Sequence, residues 1–156
     1  MEQLLNEIWS LTAQALEYAE SIFKITDEIK EHIHNKDIDS LEKALRMRQK
    51  KITEVDAVNK AAKEKTDELF RVYSLRSFEE IDSEKHPMAK RILGLREKTK
   101  LIYEKTIEID KINFENAENL LTEYKDEIKE FHARKNAIQA YGGKKVNQSI
   151  LIDDFK

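Results

Sequence analysis

The chain has 156 residues, enough for one domain, and carries 28 basic against 31 acidic side chains with no cysteine. Its net charge of -3 gives no global field to attract nucleic acid or an anionic membrane. The lack of cysteine excludes disulfides and thiol nucleophiles and fits a reducing compartment. One proline, three glycines and 38% charged residues describe long helices around a narrow core, not a thick globular interior.

The opening MEQLLNEIWSL has an acid where a signal peptide needs positive charge. No apolar run approaches the roughly 20 residues of a membrane span, so a cytoplasmic, soluble protein without membrane insertion is expected. A first helix is predicted over about residues 2–34. Leu5, Ile8, Thr12, Ala15, Ala19, Ile22, Thr26, Ile29 and Ile33 recur in steps of three and four, which keeps one stripe facing a partner. Leu4, Leu11, Leu16, Phe23 and Ile25 lie beside that stripe and widen it, enough to meet two neighbours.

Asn35 and Lys36 break the pattern, and Asp37, with Ser40 behind it, suits the cap of a second helix over about 37–73. So short a turn predicts an antiparallel hairpin. The inner stripe of this helix is read as Ile38, Leu41, Leu45, Arg48, Ile52, Val55, Asn59, Ala62, Thr66, Leu69 and Tyr73, with Arg48 suited to an ion pair. Residues 74–87 lose the period and hold the only proline, so they are read as a connection with one short turn around Phe78 to Ile81.

A third helix is predicted over about 87–141. Its stripe runs through Met88, Ile92, Leu95, Thr99, Ile102, Thr106, Ile109, Asn113, Asn116, Leu120, Tyr124, Ile128, Phe131, Lys135 and Ile138. Unbroken, it would be on the order of 80 Å long against about 50 Å for each of the others. It must therefore bend between Asn113 and Asn119 or carry an exposed apolar face past the hairpin. Gly142 and Gly143 end it, and 142–156 is read as a flexible tail or a short docking segment. The expected fold is an all-α antiparallel bundle of three long helices as one domain over 1–141.

Motifs of catalysis are not found. Glu31 and His34 have the Glu-x-x-His spacing of di-iron bundles, but no second such pair accompanies them, so no metal is expected. His32, His86 and His132 have no glycine-rich loop, nucleophile elbow or cysteine to work with, and neither enzyme activity nor a cofactor is expected. The basic run Lys43, Arg46, Arg48, Lys50, Lys51 is flanked by acids and lacks interleaved aromatics, so it reads as a solvated helix face and not a nucleic-acid site. Thr99, Thr106, Asn113 and Asn116 place polar groups on the seam, which reads either as register specification at some cost in stability or as a weakly packed, mobile region that opens to a partner.

The segment NFENAENLLTEYKDEIKEF, with spaced asparagines leading into Leu120 and Leu121, and the QAYGG that closes the last helix resemble the FlgN family of flagellar export chaperones. RQKKITEVDAV in the second helix is similar to a basic stretch found at the same place in that family. FliT-type and FliS-type flagellar chaperones share the small helical build. The resemblance implies a cytoplasmic, non-ATP-hydrolysing chaperone of the type III flagellar export system. Its partners would be the hook-filament junction proteins FlgK and FlgL, bound near their C-termini, and components of the export apparatus. An apolar helix face can shelter an amphipathic client segment, and the candidate face is Leu120, Leu121, Tyr124, Ile128, Phe131, Ile138 and Tyr141. The alternative is a self-associating scaffold, in which the first helix and the far half of the third form a homo-oligomer interface.

Overall fold

A computed structural model of the chain describes residues 1–141. The chain is an all-α bundle of three long helices, α1 (Glu2–His34), α2 (Ile38–Tyr73) and α3 (Pro87–Tyr141), with one 3-10 turn at Phe78–Glu80. There is no strand among the described residues. The tail over 142–156 lies outside them. Residues Met1–Asn116 form one compact unit, and a second begins at Ala117, partway along α3.

The hairpin between α1 and α2 is made as the sequence predicts. Lys36 takes a positive φ of 55°, and the Asp37 side chain accepts from the Ser40 backbone N–H at 3.1 Å, satisfying an amide that the first turn of α2 leaves without a helical partner. The Ser40 side chain, and after it that backbone hydrogen bond, lowers the Asp37 carboxyl pKa below its usual value. All nine predicted stripe residues of α1 are buried, and Leu16 and Ile25 beside them are buried too. The wide stripe expected of this helix is therefore its real buried face.

At one end of the first unit, Leu5, Ile8, Leu69, Phe78, Ile81, Ala89 and Ile92 make a single apolar cluster. The connection between α2 and α3 supplies two of its members. Ser74 turns the chain at φ 54°, the Arg76 N–H donates to Glu80 Oε2 at 2.9 Å, and the short turn then drives Phe78 inward. There its ring meets Phe70 edge-on at 5.2 Å and carries the Arg96 guanidinium over it at 4.7 Å. A segment that reads from sequence as a linker is a plug for the bundle end.

Further along, polar layers replace apolar ones. Arg48 donates from Nε to Thr26 Oγ1 at 3.0 Å and from its terminal nitrogen to Asp110 Oδ2 at 2.5 Å, so one side chain of α2 links α1 to α3. Asn113 donates to the Thr26 carbonyl at 2.9 Å, while its own Oδ1 is buried without a partner. A buried acceptor left unmatched costs about 1–3 kcal/mol, so this layer sets register more than it adds stability. Arg96 makes a similar contact to Thr66 Oγ1 at 3.0 Å, about two heptads before Asp110 on α3. Burial draws the Arg96 pKa below its usual value.

The third helix keeps helical backbone through 113–119. Gly94 sits in its interior, and a Cβ added there would meet nothing within 4 Å. Helical glycine costs about 0.5–1 kcal/mol relative to alanine. Gly94→Ala is therefore expected to raise stability by about that amount, read as a higher urea midpoint with an unchanged slope. An unchanged or lower midpoint would show that the site is not open.

Five stripe assignments in α2 and the first unit's part of α3 are corrected, among them Tyr73, which is exposed at 39%. Ile38 and Leu45 in α2 are about half exposed, and Ala44 is the buried residue there. Asn59 and Asn116 face solvent and are not seam positions.

Candidate partner-binding face

The residues expected to bind a partner fall within the part of α3 that belongs to the second unit. Leu120 is buried at 8% exposure and offers no surface. Tyr124 and Phe131 are half-buried. Leu121, Ile128 and Ile138 are exposed at 54%, 48% and 56%, and Tyr141 is almost fully exposed. Single exposed apolar residues are ordinary on protein surfaces, but a series at helical spacing is not.

Two seams run along α3. Counting by sevens, Ile92, Thr99, Thr106, Asn113 and Leu120 are each buried or half-buried. One residue further on, Ile107, Phe114, Leu121 and Ile128 are each exposed, Phe114 at 66%. A step of one residue rotates a helix by about 100°, so the two series lie on different sides of the helix. The sequence reading crossed from the inner seam to the outer one at Leu120, Tyr124 and Ile128 by taking successive steps of four, which is a stutter in the heptad count.

Without the stutter, steps of three and four alternate strictly through 107, 110, 114, 117, 121, 124, 128, 131, 135 and 138. Eight of these ten positions are apolar or aromatic, and only Asp110 and Lys135 are charged. Ile107 and Phe114 were missed because following one stripe from the start of the helix hides a second beside it. The signal that finds them is the unbroken period itself.

Other features offer less. A cleft of about 320 Å³ is lined by Thr12, Asn59, Thr66, Arg96 and Thr99, among others. A second of about 300 Å³ lies beside Arg48, Asp56, Tyr103 and Asp110. Both are open grooves between helices. In the second, burial and then the nearby Asp56 raise the Tyr103 pKa, moving its ionisation further from neutral pH.

Within the basic run of α2, Arg46 pairs with Glu42 at 2.5 Å and Lys51 with Glu54 at 3.4 Å, while Arg48 is spent on Asp110. Among the described residues no group of three or more His, Cys, Asp or Glu is placed to hold a metal ion, and no helix is long and apolar enough to cross a membrane.

Fold and surface together define an all-helical bundle whose most distinctive exposed feature is an apolar seam on its last helix. Set beside family models, curated proteins and solved structures, the chain finds no match in any of the three.

Proposed function

We propose that the protein is an export chaperone of the flagellar type III system, which binds the C-terminal segments of hook-associated proteins of the FlgK and FlgL type and shelters them before export. The observation that carries this reading is the exposure of Leu121, Ile128 and Ile138 on one helix, with Tyr124 and Phe131 between them. An amphipathic client segment lays its own apolar stripe along such a face, and main-chain satisfaction within each helix leaves only side-chain packing to be matched. The resemblance of NFENAENLL and QAYGG to FlgN-family segments supplies the identity of the client.

The chemistry needed is binding and release alone, with no catalytic step, and the cytoplasm is where such clients wait. Contacts with the export apparatus would use surface that the client leaves free. Multi-angle light scattering of the chain mixed with FlgK or FlgL C-terminal segments tests the reading. A new complex with one chain per client segment is expected. Segments that elute unchanged at micromolar concentration would contradict it.

A further inference from the structure

Two arginines of the first unit are held by the same device, and one of them lacks a counterion. Arg48 donates to Thr26 Oγ1 and to Asp110, whereas Arg96 donates to Thr66 Oγ1 and meets no carboxylate among the described residues. We infer that the cleft of about 320 Å³ around Arg96 is a binding site for a carboxylate that carries its own hydrogen-bond donor, as an acidic amino-acid residue or a hydroxy acid does. The residues that line it all belong to the first unit.

The guanidinium is already positioned for such a ligand. Thr66 fixes one of its nitrogens, and its carbon lies 4.7 Å over the centre of the Phe78 ring. That ring is itself held in the buried cluster at the bundle end, so the planar head has little freedom left to lose when an anion arrives. The contact with Thr66 leaves most of its N–H groups for a two-point hydrogen bond to a carboxylate. Burial lowers the Arg96 pKa and no neighbouring acid offsets that effect, so the charge is drawn from water without compensation. The residue still keeps enough exposed surface for a ligand to reach it.

The rest of the cleft sets the charge and the donor pattern of the ligand. Lys63, the other cation on its wall, is paired with Asp67 at 2.8 Å, so a single negative charge is what the cleft lacks. Thr12, Thr66 and Thr99 each donate their hydroxyl proton to the carbonyl four residues earlier, at 2.7, 2.8 and 2.8 Å. Their oxygens can therefore only accept. Thr66 already accepts from Arg96, which leaves Thr12 and Thr99 to receive an N–H or O–H from the ligand. A bare carboxylate satisfies the arginine, and a carboxylate with a donor a few bonds away satisfies the threonines as well.

Nitrogen–proton correlation NMR of the arginine Nε–H groups reads the site directly. The probes are a blocked alanine–glutamate–alanine tripeptide, sodium lactate and sodium acetate, each compared with sodium chloride at equal ionic strength. The Arg96 signal is expected to shift saturably, with half-saturation on the order of 1–10 mM for the tripeptide or lactate. Acetate, which has no donor, should bind about threefold more weakly or worse. The Arg48 signal should stay in place, because Asp110 already occupies that arginine. Tighter binding of the tripeptide than of lactate assigns the site to an acidic side chain of a partner polypeptide, and the reverse assigns it to a free hydroxy acid.

Backbone amide shifts at Thr66 and Thr99 give the affinity in variants. Arg96→Gln removes the cation, and Lys63→Glu puts a negative charge on the cleft wall at an exposed position where the fold is not at risk. Each is expected to weaken binding roughly tenfold or more. Circular dichroism confirms that both variants fold. An Arg96 signal that does not saturate, an Arg48 signal that moves with it, acetate binding as tightly as the other probes, or affinity that survives both variants overturns the inference. The probes contain no hook-associated segment, so the outcome is independent of the chaperone reading.

Discussion

Leu69→Ala is expected to lower the stability of the bundle by about 2–5 kcal/mol, among the largest losses that any single side chain here can cause. Leu69 has no exposed surface and sits where α1, α2, α3 and the connecting turn converge, touching the cluster of Leu5, Ile8, Phe78 and Ile92. Truncation removes the transfer free energy of the lost methyl groups and leaves a cavity that four segments would have to close together. At about 2–4 °C per kcal/mol for a chain of this size, the thermal midpoint should fall by roughly 5–15 °C.

Val72→Ala, one turn away at 56% exposure, is the control and should move stability by no more than about 0.5 kcal/mol. Urea melts of the two variants beside the wild type make the comparison. A loss below about 1 kcal/mol for Leu69→Ala would mean that the bundle end is not packed as described.

Phe131→Ala combined with Ile138→Ala should do the opposite, sparing the fold and removing function. Ile138 is more than half exposed and Phe131 is half-buried, so little of the bundle's apolar contact depends on them. If they anchor a client helix, truncating two large apolar side chains at the centre of that contact should weaken binding by on the order of a hundredfold. Far-ultraviolet circular dichroism should be unchanged, and the thermal midpoint should move by less than about 3 °C. Isothermal titration with a hook-associated C-terminal segment reads the binding. A large drop in thermal midpoint would place both residues in the core and remove them from the face.

The helices were legible because they are punctuated where they begin and turn: Asn35 and Lys36 before α2 and Pro87 at the start of α3 leave few alternatives among good helix formers. The buried face of α1 was legible for a related reason. Its isoleucines and leucines leave one side of the helix much more apolar than the other, and every predicted position is buried.

The start of α2 was not, because alanine weighs little in a hydropathy pattern. There Ala44 lies inside and Leu45 about half outside, a one-residue difference that turns the helix by about 100°. Phe78 and Ile81 escaped for want of any period, since a connection that doubles back into the core leaves no repeat to read.

The roles of Arg48 and Asn113 were half visible. A charged or amide side chain on an apolar stripe announces a specific partner, but only the fold names it as Asp110 in one case and the Thr26 carbonyl in the other. The outer seam of α3 lay in the sequence throughout, hidden because the inner seam runs one residue away and Leu120 belongs to that inner one.

Hydrogen–deuterium exchange of the full chain, with and without a hook-associated C-terminal segment, tests most directly whether the second half of α3 is the working surface. Amides over 117–141 are expected to gain strong protection on adding the segment, while those of α1 around Ile8 and of α2 around Leu69 stay as slow as before. Protection that appears along α1 or α2, with 117–141 unchanged, would contradict the account.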